Sequence, residues 1–241
     1  MRFLIAGWFS FEQMGATAGD IIARDLVCRH LRQKGIDCDN AVAAPFTDGY
    51  DWRSLDPSCY DAVVFVCGPF GNGWPVTEFL AHFSSCRMIG VNLSMLESLE
   101  QWNPFHALLE RDSDRASHPD ITFAAKDPEL PVAGIILAHK QKEYGSRSLH
   151  DQANEAIARL VASKNLAAVR IDTSLIDNEG GLQNAQQIES LIARMDLVIT
   201  TRLHGTVLSI KNGVPVIPVD PVQGGAKILR QVGTIGWPLC F

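Results

Sequence analysis

The apolar run Leu197-Val198-Ile199 gives way, within a few residues, to Arg202-Leu203-His204-Gly205. Such runs form buried strands, so a guanidinium and an imidazole sit where a strand hands over to a helix. In an open α/β sheet, ligands bind beyond the carboxyl ends of the strands, which makes this junction a candidate chemical site. A guanidinium binds phosphate or carboxylate through two parallel hydrogen bonds. A helix starting near Gly205 adds free backbone N–H groups and the positive end of its dipole to the same anion. An imidazole titrates at roughly 6.5 and exchanges protons near neutrality. Arg202 is therefore the candidate anion ligand, His204 the candidate general acid/base and Gly205 a point of close backbone approach. The competing readings are a surface ion pair for Arg202 and a hydrogen-bonded structural role for His204.

The elements that position these groups follow from periodicity. Residues 2–7 read as a buried strand, then a loop holding Gly15 and Gly19, then a helix over 21–34 with Asp20 as its N-cap and Gly35 as its end. Residues 61–67 form a second strand running into the glycine loop 68–73, followed by a helix from about Val76. A strand over 87–93 precedes a helix over 94–105 in which Trp102 packs. Residues 110–129 are polar and proline-bearing, which marks a boundary between domains at 1–128 and 129–241, with the acid-rich 112–120 segment as a solvated linker. Strands over 133–138, 167–171, 197–200 and 216–219 then alternate with helices over 151–163, 185–194 and from about Gly205. Alternation of this kind predicts an α/β fold with parallel sheets and right-handed crossovers in both halves.

Composition narrows the partners. A net charge of -6 without a Lys/Arg-rich run argues against nucleic acid, so an anionic ligand needs local positive charge. Cys28, Cys38, Cys59, Cys67, Cys86 and Cys240 form no CxxC pair or Cys/His cluster, so neither a metal site nor a disulfide framework is expected, and a reducing cytoplasm is the expected setting. No apolar run reaches the roughly 20 residues of a membrane span, and the first residues lack the features of a signal peptide. The loop 68–73 has neither Walker nor GxGxxG spacing.

The block from Asp196 to Gly205, followed by Gly213-Val214-Pro215-Val216-Ile217, resembles the polysaccharide pyruvyl transferase family. Weaker agreement extends over Gly19-Asp20, the loop from Gly68, Pro119-Asp120 and Lys227. The resemblance implies two Rossmann-like halves facing across a cleft, as in two-domain glycosyltransferases. It also implies transfer of pyruvate from phosphoenolpyruvate to a sugar as a cyclic ketal, with phosphoenolpyruvate as donor substrate and no cofactor. Arg202, Leu203, Gly205, Lys227 and His139 are then the expected donor contacts, with Lys140 beside them. Gly19, Asp20, Gly68 and Gly71 are the expected contacts on the acceptor side. The chain departs from the family in its His139-Lys140 pair, where an arginine is expected, and a C-terminal closing segment is expected to be reduced. A nucleotide-sugar glycosyltransferase and a non-catalytic anion-binding module are the alternative functions, the former because fold does not fix chemistry.

Overall fold

The computed structural model describes residues 1–12, 14–139 and 141–241. The chain divides into two compact units, Met1–Asp127 and Pro128–Phe241. The first holds strands β1 (Arg2–Ala6), β2 (Asp37–Asn40), β3 (Ala62–Phe70), β4 (Arg87–Met95) and β5 (Ala107–Asp112), with helices α1 (Ala18–Gln33) and α2 (Val76–His82). All pairings are parallel and the order is β2-β1-β3-β4-β5. β3 explains its own uninterrupted apolar run, because both of its faces are covered. Val63 and Phe65 join Leu4, Phe70 and Phe79 in one core, while Val64 and Val66 join Ile5, Ala23 and Cys28 in another. Each such aliphatic or aromatic side chain contributes about 1.5–3 kcal/mol when fully buried.

The second unit holds β6 (Val132–Ile136), β7 (Ala167–Arg170), β8 (Leu197–Thr200) and β9 (Val216–Pro218), with α3 (His150–Ala162), α4 (Ala185–Ile192), α5 (Leu203–Lys211) and α6 (Lys227–Ile235). Its parallel sheet has the order β7-β6-β8-β9. Ile136 and Val198 pack with Ile188 and Ile192 of α4, and Ala133, Ile135 and Ile199 with Ile157 of α3. Ile136 pairs with Thr200, and Thr200 with Pro218, so β6, β8 and β9 end level with one another. The α/β class with two parallel sheets is thus as the alternation predicts.

Several local expectations fail for physical reasons. The 94–105 helix does not form: β4 continues to Met95, and Leu96 N–H donates to the Phe70 carbonyl at 3.0 Å. Leu96, Leu99 and Trp102 have helical spacing, but Leu96 is 68% exposed and Asn103-Pro104 follows at once. Trp102 does pack, stacking on Phe70 with ring centroids 5.6 Å apart. Gly19 lies inside α1 rather than in a loop, and the N-cap is Thr17, not Asp20. Asp20 instead reaches back, its Oδ2 accepting from Thr17 N–H and Thr17 Oγ1, each at 2.8 Å. The 112–120 segment is largely solvated but is not a linker, since it lies within the Met1–Asp127 unit. Asp112 and Asp120 both pair with Arg111, at 3.0 and 3.1 Å, and Ile121–Ala124 forms a 3-10 turn.

Candidate active site

The strand-to-helix junction of the second unit is built by two threonines that end β8. Thr200 and Thr201 are 0% and 2% exposed. Thr200 Oγ1 donates to the Ile136 carbonyl and accepts from Arg202 N–H, both at 2.9 Å. Thr201 Oγ1 accepts from Ala138 N–H at 2.7 Å. The hydroxyls thereby tie the chain leaving β8 to the chain leaving β6, satisfying backbone groups that would otherwise be buried unpaired.

Arg202 is the N-cap residue of α5. Its Nε donates to the Leu137 carbonyl at 2.9 Å, and its Nη2 stands 3.7 Å from Asp172 Oδ1. Nε–H is the one side-chain donor of Arg202 in a hydrogen bond among the described residues. The Nη fork is therefore oriented by its stem and by the Asp172 carboxylate, while its own N–H groups make no hydrogen bond among the described residues. Asp172 is itself fixed, with its side chain 8% exposed and its oxygens accepting from Ser174 N–H at 2.9 Å and Glu179 N–H at 3.4 Å.

A cavity of about 530 Å³ opens over this junction, lined by His139, Arg202, Leu203, His204 and Lys227 among others. The structure thus brings together five of the residues singled out from sequence. His204 is exposed at the second position of α5, and Lys227 is the first residue of α6. Asp220 anchors the turn before α6, its Oδ2 accepting from Ala226 N–H at 2.7 Å and Leu229 N–H at 2.9 Å. His139 follows β6 and is exposed. Lys140 lies outside the described residues. The charged lining consists of Lys142, Arg202 and Lys227 against Glu143, so the cavity is locally cationic on a chain whose net charge is -6. The first intrahelical bond of α5 is Thr206 N–H to the Arg202 carbonyl at 3.1 Å, so the preceding N–H groups lie at the mouth of a cation-lined cavity. Such a site is suited to a small anion, with the His204 imidazole beside it.

Gly205 departs from its expected role. It is buried and is not part of the cavity lining. A Cβ there would run into Thr200 Oγ1 and stand 3.0 Å from Thr200 Cβ and 3.1 Å from Ile136 Cγ2. The glycine is needed for α5 to pack on β8 and β6, and close approach to a ligand does not explain it.

In the first unit, Gly19, Asp20 and Gly68 line a separate cavity of about 500 Å³ with Trp8, Cys67 and Arg111, while Gly71 lies outside that lining. The close approach at Gly68, whose φ is +84, is made by the Trp8 indole, into which a Cβ would project. At Gly71 a Cβ would meet Leu96 Cδ1 at 2.9 Å. The loop 68–73 therefore serves packing, and residues 68–70 belong to β3. Sequence reading missed Trp8 and Arg111 as lining groups, since their neighbours come from other strands. It also missed the two threonines, whose one signal was a polar pair ending an apolar run.

Among the described residues no group of His, Cys, Asp and Glu side chains is arranged to hold a metal ion, and no helix is long and apolar enough to cross a membrane. No curated protein matches the chain. Among solved structures, the ligand-free, open form of CD0873, a substrate binding protein with adhesive properties from Clostridium difficile, is 10% identical. That alignment covers 90% of this chain and 73% of the other, with a TM-score of 0.29. Residues 119–221, which hold β6 to β9 and the Arg202 to Gly205 junction, match the model of the polysaccharide pyruvyl transferase family, and that match implies a transferase.

Proposed function

We propose that the chain transfers pyruvate from phosphoenolpyruvate to a pair of hydroxyls on a sugar or glycan, forming a cyclic ketal and releasing inorganic phosphate. The observation that carries this reading is Arg202, pinned through Nε to the Leu137 carbonyl, with its Nη fork in one cavity with His204 and Lys227. Arg202 and Lys227 bind the phosphate and carboxylate, and the N-terminal N–H groups of α5 add to the same field. His204 delivers a proton to the methylene carbon, which becomes the methyl group. One acceptor hydroxyl then bonds to the adjacent carbon, the carbon–oxygen bond to phosphate breaks, and the second hydroxyl closes the ring. The two hydroxyl protons balance the one gained by carbon and the one carried away by phosphate. Acceptor recognition is assigned to the Met1–Asp127 unit, and the scattered cysteines fit a cytoplasmic setting.

Titration calorimetry with phosphoenolpyruvate tests the donor assignment. A two-point charged contact contributes about 1.5–3 kcal/mol, so Arg202→Ala is expected to weaken binding by roughly ten- to a hundredfold. Unchanged affinity in that variant, or binding of a nucleotide sugar in place of phosphoenolpyruvate, would overturn it.

A further inference from the structure

We infer that the cavity of the first unit is a subsite for an uncharged sugar ring, and that it discriminates against anionic sugars such as hexuronates. The inference rests on the transferase reading only for the fate of the sugar; the recognition chemistry is independent of it. Placement comes first. The chain leaves β1 toward β2 on one side and returns to β3 on the other, so the sheet changes direction between β1 and β3. The cavity is lined by Trp8 just after β1, by Cys67, Gly68 and Pro69 of β3, and by the start of α1. That crevice is where open α/β sheets take ligands, and its volume of about 500 Å³ suits a small molecule.

The lining offers a rigid aromatic ring. Trp8 Nε1 donates to the Pro69 carbonyl at 2.9 Å. Its ring lies over Gly68, where no side chain intervenes, and packs at 5.7 Å from Phe11 and 6.4 Å from Phe65. An indole already fixed by its only donor loses little freedom on binding, and its apolar surface suits the C–H face of a pyranose.

Charge then selects among ligands. The charged lining is Asp20 and Asp120 against Arg111. Arg111 is offset by two carboxylates: Nε meets Asp112 at 3.0 Å, Nη1 meets Asp120 at 3.1 Å, and Nη2 donates to Ser94 Oγ. The N-terminus of α1, elsewhere a natural anion site, is already faced by its own Asp20. Both Thr17 donors converge on Asp20 Oδ2, which leaves Oδ1 to accept from a sugar hydroxyl. Burial raises the Cys67 thiol pKa, so this side chain stays neutral. An anion would meet carboxylates that outnumber and offset the one guanidinium among the described lining residues, whereas a polyol finds an acceptor and an apolar platform. The second unit's cavity has the opposite sign.

The test is saturation-transfer NMR on the full chain, without phosphoenolpyruvate, using methyl hexopyranosides and the corresponding methyl hexuronosides. Neutral glycosides are expected to bind, and the hexuronosides at least tenfold more weakly. Trp8→Ala should reduce neutral-sugar binding at least fivefold. Asp20→Asn, which keeps the Trp8 packing, should narrow the neutral-to-anionic preference, so the inference is testable even if Trp8→Ala fails to fold. Absence of neutral-glycoside binding, equal binding of both classes, or a preference unchanged in Asp20→Asn would overturn it. Phosphoenolpyruvate is titrated separately, so loss of donor binding with sugar binding intact refutes the function and leaves this subsite standing.

Discussion

Replacing Gly205 by alanine tests whether this glycine serves packing or a ligand. Glycine is about 1 kcal/mol worse than alanine inside a helix, so an unobstructed site would be stabilised by the change. Here the new methyl runs into Thr200 and lies 3.1 Å from Ile136 Cγ2. Overpacking of this kind costs about 1–3 kcal/mol. Thr200 cannot turn aside freely, because Oγ1 holds the Ile136 carbonyl and Arg202 N–H, both at 2.9 Å. Leaving the Arg202 N–H unpaired costs a further 1–3 kcal/mol, roughly. The expected net destabilisation is about 1–5 kcal/mol by urea unfolding, with weaker phosphoenolpyruvate binding because Arg202 is displaced. In a Thr200→Ala background the obstructing hydroxyl is gone, and the Gly205→Ala penalty should fall by about 1 kcal/mol. Gly233→Ala is the internal control, since a Cβ there meets nothing within 4 Å in α6. It should stabilise by up to about 1 kcal/mol. If Gly205→Ala proves as stable as Gly233→Ala, the packing argument is wrong and close ligand approach returns as the explanation.

Two pH effects follow from one buried and one half-buried titratable group. His150 is 1% exposed, Nδ1 lies 2.9 Å from Ser148 Oγ and Nε2 has no partner among the described residues. Burial lowers its pKa and Lys227 adds to this, against Asp151, Asp220 and Glu143. The unfolded chain therefore takes up the proton first, and stability present above about pH 6.5 declines as pH falls below it. His150→Gln should flatten the fall in Tm between pH 7.5 and 5.5; parallel curves would refute this. Asp120 is the second case. Burial opposes its ionisation, but hydrogen bonds from Thr122, Asn92 and Arg111 prevail and hold its pKa at about 2. That contributes about 2 kcal/mol above pH 4, lost as pH falls from about 4 toward 2. Asp120→Asn should be less stable at pH 7 and show a shallower acid transition, and an unchanged acid midpoint would count against it.

Legibility from sequence tracked burial. Leu197–Thr200 and Val216–Pro218 were readable because a doubly covered parallel strand must be apolar throughout. Asp37–Asn40 carries no such signal: it is an edge strand, paired only with β1 and half exposed. The expected helix over 94–105 failed because the sequence does not reveal that Leu96 faces solvent, and a proline follows Asn103. Arg202, His204, Lys227 and His139 were legible because polar groups at strand ends and helix starts are conspicuous beside apolar runs, whereas Leu203 came only with the family resemblance. Arg111 was not, because a guanidinium bridging Asp112, Asp120 and Ser94 looks, in sequence, like part of a solvated charge run. Gly205 illustrates a further limit, since a glycine that admits a neighbouring threonine and one that admits a ligand have the same sequence signature.

The most direct test of the account is phosphate release from phosphoenolpyruvate, measured over a panel of neutral glycoside and oligosaccharide acceptors. The wild-type chain is expected to release phosphate only with an acceptor present, in step with formation of a pyruvate ketal. Arg202→Ala and His204→Ala, each verified as folded, should lower that rate at least a hundredfold, about 2.7 kcal/mol in transition-state stabilisation. Wild-type turnover in both variants, or no acceptor-dependent release by the wild-type chain across the panel, would contradict the assignment.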